Sequence, residues 1–234
     1  MKILELQPRL QAIADMVPAG AVVADIGSDH AYLPVYLLQS GRIQKAIAGD
    51  INALPLQHGA QTAEEYGVTQ QMEFRLCNGL ADFSAGEADC IVIAGMGGEN
   101  IASIMESAAW LKDENPPRLL LQPMSKPEFL RRWLCENGYC FLREKLIWDK
   151  GVLYAIMEVT AGKGQSLSPL QYYTGLLQED PLWGDYLRYW IDKFSRTAAG
   201  LRQAVSEESV RKAQEWEMLI EELKKLEGET VCCE

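Results

Sequence analysis

The stretch that decides the fold runs from Val22 to His30 and reads Val-Val-Ala-Asp-Ile-Gly-Ser-Asp-His. Its first residues are apolar and small or branched, which favours a buried strand, and they lead into an acid, a glycine and a polar turn. A segment compatible with a helix, residues 31–39, follows directly. A strand that turns tightly into a helix start is where α/β proteins hold nucleotide-like ligands. The sequence therefore predicts a ligand site at this turn.

The residues of this turn indicate the kind of ligand. Dinucleotide sites use three glycines in a G-x-G-x-x-G pattern, so that a pyrophosphate lies against bare backbone. Here Gly27 stands alone, with Asp25 and Asp29 on either side. These carboxylates repel a pyrophosphate and attract a cationic ligand without phosphate. S-adenosylmethionine, with its ammonium and sulfonium charges, fits this description, whereas a dehydrogenase cofactor does not.

Apolar strand-like segments alternate with helical segments along the N-terminal part of the chain. Strands are expected at 21–25, 45–49, 72–76, 88–94, 118–122, 139–148 and 152–159, and helices at 3–16, 31–39, 53–66, 99–111 and 126–137. This alternation predicts a doubly wound α/β sheet with mostly parallel strands. The last two strands are joined across 149–151 as a hairpin, which inserts one antiparallel strand. The expected architecture is the Rossmann-like, seven-stranded sheet of class I methyltransferases.

The C-terminal part of the chain is strongly helical. Residues 161–168 are rich in glycine and serine and indicate a linker, so we expect one domain at 1–162 and a C-terminal helical domain at 168–230. Apolar residues in the second domain step by three or four positions, which is typical of two amphipathic helices. These residues are Leu187, Ile191, Phe194, Ala198, Leu201, Val205, Ala213, Trp216, Ile220, Leu223 and Leu226. The pattern favours an antiparallel coiled-coil hairpin, with a helical lid on the sheet domain as the alternative.

Composition and charge narrow the class of protein. The 234 residues carry a net charge of −11, which argues against a broadly basic nucleic-acid binder but leaves room for a local basic patch. Residues 126–150 and 185–212 each hold six basic residues against four acids, and the alternative for both is a solvated face of mixed charge. The sequence shows no apolar run long enough for a membrane span and no signal-peptide core at its start. The six cysteines form no C-x-x-C pair and the histidines are only two, so we expect no metal site, no disulfide framework, and reduced thiols in the cytoplasm.

Further candidate residues stand where the predicted strands end. Asp50 follows the second strand, where an acid accepts hydrogen bonds from ribose hydroxyls, the alternative being a helix N-cap. Asn78 and Gly79 follow the third strand and offer an amide to an adenine edge, or form a plain turn. Asp25 and Gly27 are expected beside the methionine part of the donor, unless Asp25 is only a structural acid of the turn.

A second group of candidates faces the reactive methyl group. Residues 94–98, Ala-Gly-Met-Gly-Gly, follow the fourth strand, and their glycines allow a flat base to approach the backbone, with Met96 packing on its ring. The alternative is a glycine-rich turn without substrate contact. If the methyl acceptor is an adenine base, its N1 atom already has the lone pair that attacks the methyl group. The enzyme then mainly needs to align this atom with the methyl carbon of the donor. Asp29 is positioned to hold the adenine amino group and stabilise the charge formed on the ring, while His30 stacks, donates or is purely structural.

Three motifs carry a resemblance to a known family. Residues 25–34 (Asp-Ile-Gly-Ser-Asp-His-Ala-Tyr-Leu-Pro), 93–98 (Ile-Ala-Gly-Met-Gly-Gly) and 121–123 (Leu-Gln-Pro) closely resemble the bacterial tRNA (adenine-N1)-methyltransferases that modify adenine 22 of tRNA. The resemblance spans about the first 160 residues, and the helical tail extends it to nearly the whole chain.

The resemblance implies a cytoplasmic enzyme with S-adenosylmethionine as donor, tRNA as partner, and neither a metal nor a membrane. It implies Asp29 as the catalytic residue. The implied donor-binding residues are Asp25, Gly27, Ser28, Asp50, Ile51, Asn78, Gly79, Ala94 and Gly95, and the implied substrate residues are Arg9, His30, Tyr32, Leu33 and Met96. Two positions depart from the family pattern: Asn78 replaces an acid and keeps only its acceptor oxygen, and Met124 replaces an asparagine.

Two other functions fit the same residues. One is a methyltransferase that acts on another RNA or a small molecule, with an oligomerising tail. The other is a donor-binding scaffold whose helical hairpin recruits a partner. The sequence leaves open which tRNAs are accepted and the oligomeric state, for which a monomer is the working expectation.

Overall fold

A computed structural model describes residues 3–204 and 206–231. Val205 of the predicted apolar pattern and the pair Cys232-Cys233 lie outside the described residues. The chain forms two compact units, the first ending at Ser166 and the second beginning at Leu167.

The first unit is built on a single seven-stranded sheet. Its strands are β1 (Val22–Ile26), β2 (Lys45–Asp50), β3 (Met72–Leu76), β4 (Cys90–Gly97), β5 (Arg118–Ser125), β6 (Tyr139–Asp149) and β7 (Val152–Ala161). Their order across the sheet is β3-β2-β1-β4-β5-β7-β6. The first five strands are parallel, and β7 inserts antiparallel between β5 and β6. The predicted architecture is therefore confirmed, including the inserted hairpin strand.

Helices connect these strands. They are α1 (Pro8–Met16), α2 (Tyr32–Gln39), α3 (Ala53–Glu65), α4 (Gly98–Glu106) and α5 (Pro127–Glu136), with short 3-10 turns at Thr69–Gln71 and Ala109–Lys112. The predicted first helix was too long, since residues 3–7 are not helical. Proline favours the first position of a helix and pushes the residue before it into extended backbone, as is seen at Gln7 with ψ of 154°.

Two apolar cores cover the two faces of the sheet. One packs α1, α2 and α3, through side chains such as Ile13 and Leu37, and the other packs α4 and α5, through side chains such as Ile101. Val23 of β1 points into the first core and Ala24 into the second, as expected for alternating side chains of a strand covered on both faces. Because the parallel strands end at one edge, the turns after β1, β2, β3 and β4 lie together there.

Gly98 marks a close approach between α4 and the start of α5. A Cβ at this position would stand 2.5 Å from the backbone oxygen of Lys126 and 3.2 Å from Cβ of Leu130. Because a backbone oxygen cannot rotate away, we expect Gly98→Ala to lower the free energy of unfolding by about 2 kcal/mol. Chemical denaturation measures this effect. The matched control is Gly200→Ala on a C-terminal helix, where a Cβ meets nothing within 4 Å and a small gain in stability is expected.

The second unit is a helical hairpin preceded by a short helix. Its helices are α6 (Gln171–Thr174), α7 (Trp183–Gln203) and α8 (Glu207–Val231). Rings of Tyr173, Trp190, Phe194 and Trp216 pack together, with 4.6 Å between the ring centroids of Phe194 and Trp216. Arg202 near the end of α7 forms hydrogen bonds of 3.0 and 2.7 Å with the Glu217 carboxylate of α8. The predicted helical hairpin is confirmed, while its supercoiling stays a prediction.

No helix in the described part of the chain combines the length and the apolar composition that a membrane span requires.

Candidate active site

Two adjoining cavities open at the edge of the sheet where the parallel strands end, and Gly27 lines both. The first has a volume of about 690 Å³ and the second about 320 Å³. The first is lined by Leu4, Glu5, Leu6, Gln7, Arg9, Leu10, Asp25, Gly27, Ser28, Asp29, His30, Tyr32, Leu33, Tyr66, Ala94 and Gly95. The second is lined by Ile26, Gly27, Asp50, Ile51, Asn52, Asn78, Gly79, Met96, Asn100, Ser103 and Ile104. An elongated ligand lying over Gly27 would reach into both cavities.

The turn after β1 is held in place by backbone hydrogen bonds. The N–H groups of Gly27 and Ser28 both donate to the carbonyl oxygen of Gly49 in the neighbouring strand, at 2.8 and 3.2 Å. Gly27 has a φ of +76°, in the left-handed region that favours glycine. A Cβ on Gly27 would also collide with the terminal methyl group of Met96. The positive φ is what requires glycine at position 27, since the flexible Met96 side chain can move away from a Cβ.

Asp25 is a buried carboxyl group at the floor of the first cavity. It is 8% exposed, and Oδ2 accepts a hydrogen bond of 2.6 Å from Oγ of Ser28. Burial raises the pKa of Asp25 from 3.8 to about 6, a rise that Asp50 increases and the Ser28 hydrogen bond opposes. A cationic group of a ligand placed beside this buried carboxyl would favour its ionised form, so the site favours a cation.

Asp29 and His30 are presented by an unusual backbone turn. His30 and Ala31 both have positive φ, 59° and 52°, a conformation that costs energy in residues other than glycine. The turn packs closely on α3, where a Cβ on Gly59 would stand 3.0 Å from Cβ of Ala31. The result is an Asp29 side chain that is 72% exposed and faces the first cavity.

Three aromatic rings stack beside this carboxylate. The His30 ring lies parallel to the Tyr32 ring at 5.3 Å between centroids, and to the His58 ring at 4.7 Å. Asp29, His30 and His58 each bring one potential metal-ligand atom within 4.8 Å of the others. The two imidazole planes are 10° apart, however, so their in-plane lone pairs do not converge on one point. The sequence-based expectation of no metal stays a prediction.

The second cavity gathers the residues that follow β2 and β3. Oδ1 of Asp50 accepts a hydrogen bond of 2.7 Å from the N–H of Asn52, so this carboxylate shapes the turn without capping α3, whose N-cap is Asn52. The carbonyl oxygen of Asp50 accepts a second bond of 2.9 Å from the N–H of Cys77. These bonds fix the end of β2 against the turn that carries Asn78 and Gly79.

Arg9 enters the first cavity from α1 and contacts side chains of β5 and β6. Its Nη1 donates a hydrogen bond of 2.6 Å to Oε1 of Gln122, and its Nε lies 3.6 Å from Oδ2 of Asp149. The same Gln122 oxygen accepts a bond of 3.1 Å from the N–H of Gly95. Gln122 is fully buried and Asp149 is 7% exposed. The arginine is thus tied to the glycine-rich end of β4, which the sequence placed in a turn after a strand ending at residue 94, and where the pairing with β5 is irregular.

Comparison with known proteins identifies the family of this chain. A family model described as a methyltransferase domain matches residues 6–157. The tRNA (adenine(22)-N(1))-methyltransferase of Bacillus subtilis (strain 168) is 40% identical over 164 residues, which make up 69% of this chain and 68% of that protein. This chain belongs to the tRNA (adenine(22)-N(1))-methyltransferase family.

Two solved structures of the family share its fold over nearly the full length. The crystal structure of the B. subtilis m1A22 tRNA methyltransferase TrmK matches with a TM-score of 0.82 at 34% identity, covering 96% of this chain and 99% of that chain. The M. capricolum TrmK, solved with the natural cofactor product S-adenosyl-homocysteine, matches with a TM-score of 0.78 at 26% identity, covering 96% of this chain and 97% of that chain.

In this methyltransferase every site residue predicted from the sequence lines one of the two cavities. Met96 lines the second cavity with the expected donor residues, although the sequence placed it with the substrate. Met124 lines neither cavity and is 44% exposed. Sequence reasoning missed His58, Gln122 and Asp149, together with the extended residues before α1. The Leu-Gln-Pro motif at 121–123 was the available signal for Gln122, whereas nothing in the sequence indicated Asp149 or His58.

Proposed function

We propose that this chain transfers a methyl group from S-adenosylmethionine to N1 of adenine 22 in tRNA. The observation that carries the proposal is the pair of acid-lined cavities joined over Gly27, in a chain of this family. The relatives supply the identity of the donor and of the target base. The cavities supply a site whose charge and shape suit both.

The residues of the two cavities fit the donor. Asp50 keeps one carboxylate oxygen for ribose hydroxyls, since the other is used by Asn52, and Asn78 offers an amide to the adenine edge. Asp25 lies beside Gly27, where the amino-acid part and its ammonium belong. When bound, the donor supplies an electrophilic methyl group on a sulfonium. The protein supplies the orientation of the two reactants and the exclusion of water.

Asp29 is the residue that we assign to the target base. Its carboxylate faces the larger cavity and stands next to the stacked rings of His30 and Tyr32. A carboxylate there holds the adenine amino group and balances the positive charge that methylation of N1 leaves on the ring. The N1 atom lies on the pairing edge of adenine, so the base must leave its stack before it enters the cavity.

Nucleoside mass spectrometry tests the proposed function directly. Transfer RNA made by transcription, which lacks modifications, is incubated with the protein and S-adenosylmethionine, digested and analysed for 1-methyladenosine. We expect one methyl group per accepted tRNA, mapped to position 22, and none on a transcript with guanine at that position. Donor binding without turnover on any tRNA would favour the scaffold function, and methylation of small molecules alone would favour the second enzyme class.

The C-terminal hairpin is our candidate for binding the body of the tRNA. The sequence pointed to Arg188, Lys193, Arg196 and Arg202. In the structure Arg188 pairs with Asp185 and Glu227, and Arg202 pairs with Glu217. These two arginines are therefore weaker candidates for contacts with tRNA phosphates. Among the described side chains, those of residues 3–204 and 206–228, no carboxylate pairs with Lys193 or Arg196, so these two are the better candidates for phosphate contacts.

We expect the double variant Lys193→Gln/Arg196→Gln to weaken tRNA binding about tenfold and leave donor affinity unchanged. Each lost phosphate contact also reduces the slope of log affinity against log salt by about 1. Filter binding at several salt concentrations measures both quantities. Lys212→Gln, at a lysine already paired with Glu208, is the control. Unchanged binding and slope in the double variant would remove the hairpin from the proposal.

The proposal also includes a cellular location and an oligomeric state. A tRNA substrate and free thiols, as at Cys77 and Cys90, suit the cytoplasm. The monomeric state and the absence of a metal stay predictions, which light scattering and metal analysis of the purified protein check.

A further inference from the structure

The His30 ring is the middle member of a stack of three rings beside Asp29. It lies parallel to the Tyr32 ring, with an angle of 5° between the planes, and nearly parallel to the His58 ring, with an angle of 10°. In the described part of the chain no ring contact joins Tyr32 to His58 directly, so His30 links them. His30 and Tyr32 line the first cavity, whereas His58 lines neither of the two cavities. His58 therefore reaches the site through another side chain.

We propose that His58 is a positioning residue for the target base: its ring holds His30, and through His30 it fixes Tyr32 and Asp29 in the arrangement that receives the adenine. This inference rests on the proposed function and deepens it, because it takes the adenine of tRNA as the base that enters the first cavity. The sequence assigned roles to His30 and Tyr32 but none to His58.

The turn that carries His30 needs support from outside itself. His30 and Ala31 have consecutive positive φ angles, a strained conformation that persists only where neighbouring contacts hold it. No side chain caps the start of α2 at Ala31. Nε2 of His30 lies 3.6 Å from Oδ1 of Asp29, too far for a hydrogen bond. Stacking on His58 is therefore a contact that limits rotation of the His30 ring and helps to fix the turn.

Helix α3 provides this support from a fixed position. A Cβ on Gly59, the residue after His58, would stand 3.0 Å from Cβ of Ala31 and 3.0 Å from Cε1 of Phe74. The helix thus packs tightly on both the turn and β3. The carbonyl oxygen of His58 accepts a hydrogen bond of 3.0 Å from Oγ1 of Thr62, a buried residue. His58 is therefore placed by the packed core of the domain rather than by a surface loop.

The Tyr32 end of the stack suits a nucleobase. Tyr32 is 41% exposed and lines the first cavity together with Asp29. Nucleobases stack on aromatic side chains because every base has a π face. An adenine that extends the stack takes the plane that the three rings set, so a tilt of His30 would tilt the base relative to Asp29 and the methyl group. Methyl transfer is sensitive to such a tilt, because the attacking lone pair must be aligned with the methyl carbon.

Single-turnover kinetics of the full chain with transcribed tRNA and S-adenosylmethionine test the proposal. We expect His58→Ala to lower the rate of methyl transfer at saturating tRNA about tenfold, because the base is then less well aligned. His58→Phe keeps a flat ring for stacking but has no imidazole nitrogen, and its rate is expected to lie within about threefold of that of the unaltered protein. The KM for tRNA is expected to stay within about twofold in both variants, because phosphate contacts supply much of the affinity. Calorimetry is expected to show an unchanged affinity for the donor.

A variant of His30 shows whether His58 acts through this ring. His30→Ala removes the link between His58 and Tyr32, so adding His58→Ala to it is expected to change the rate less than about twofold. Gln57→Ala, at an exposed neighbour on α3 that lines neither cavity, is the control and is expected to keep the full rate. Thermal unfolding shows whether each variant is folded before its rate is compared. If His58→Ala does not fold, His58→Gln, which is similar in size to histidine but not aromatic, takes its place.

The outcomes separate this inference from the proposed function. A full rate in His58→Ala overturns the inference, as does an equal loss in His58→Phe, which would assign the effect to an imidazole nitrogen. A tenfold loss on adding His58→Ala to His30→Ala also overturns it, because His58 would then act without His30. Each of these results leaves the proposed function intact. If the unaltered protein methylates no tRNA, the proposed function itself fails, and this inference fails with it.

Discussion

Asp29→Asn is expected to lower the rate of methyl transfer about hundredfold while the affinity for S-adenosylmethionine stays within threefold. The asparagine keeps the size and one acceptor oxygen, so it still meets the adenine amino group. It loses the negative charge that balances the cationic ring of the product, and removing one such electrostatic contact typically costs a factor of about 100 to 1000 in rate. Asp29 is 72% exposed before tRNA binds, so most of this effect arises only when the base covers it.

Single-turnover kinetics with saturating tRNA measure this rate, and calorimetry measures donor affinity on the same preparation. Glu64→Gln, at an exposed carboxylate of α3 outside both cavities, is the control and is expected to keep the full rate. A full rate in Asp29→Asn would mean that the carboxylate has no part in the reaction. A parallel loss of donor affinity would place Asp29 with the ammonium of the donor instead of the target base.

The two cavities show how far local sequence predicts a site. Asp25, Gly27, Asp50 and Asn78 were found because each lies at or just beyond the carboxyl end of a strand, and parallel strands end at a common edge. That argument needs only the alternation of apolar and helical segments. The order of the strands, with β7 between β5 and β6, confirmed the predicted topology of the sheet.

Contacts between distant elements are what the sequence did not predict. His58 lies on the face of α3 that meets the turn after β1, and its stacking on His30 follows from two consecutive residues with positive φ and from the small size of Gly59. Neither the histidine at position 30 nor the alanine at position 31 allows two consecutive positive φ angles to be predicted from the sequence. In the sequence, Asp149 was interpreted only as part of a hairpin turn. Its ion pair with Arg9 joins residues that are far apart in the chain, and no local pattern predicts it.

The predicted start of the first helix was wrong for a related reason. The apolar spacing over 3–16 predicted one helix, yet the described residues before Pro8 are not helical and line the first cavity. Leu4 is buried there, and its N–H donates a hydrogen bond of 2.9 Å to Oε1 of Gln39. Periodicity shows which side chains are apolar. It does not show that the helix begins only at Pro8, or that a tertiary contact holds the residues before it.

The second large effect is expected from Asp25→Asn, which should stabilise the ligand-free protein and weaken the donor site at the same time. Burial raises the pKa of Asp25 from 3.8 to about 6. Because the folded state binds this proton more tightly than the unfolded state, the associated stability is complete below pH 3.8 and is lost as the pH rises through about 6. Above pH 6 the folded protein therefore holds a charge that burial disfavours. Asparagine removes this charge and keeps an oxygen that accepts the hydrogen bond from Ser28.

We expect Asp25→Asn to raise the free energy of unfolding at pH 8 by about 2 kcal/mol, somewhat less than the full pKa shift implies. In a chain of this size the unfolding temperature should rise by roughly 4 to 8 °C, and the gain should vanish near pH 4. Thermal unfolding of both proteins at pH 4, 6 and 8 measures the difference. A variant that is less stable at pH 8 would show that the charged form of Asp25 is favoured by its surroundings.

Donor binding should change in the opposite direction, because the ammonium loses its buried partner. Affinity for S-adenosylmethionine is expected to fall about 10- to 100-fold at pH 8. In the unaltered protein the affinity should decline as the pH falls below about 6, where Asp25 takes up a proton, and this decline should be absent in Asp25→Asn. Ser28→Ala provides the matched variant, since losing the hydrogen bond that lowers the pKa of Asp25 should move the decline to higher pH. Binding in Asp25→Asn that keeps the pH dependence of the unaltered protein would assign the titration to another group. The opposed effects on stability and on binding distinguish a carboxylate kept for a ligand from one kept for the fold.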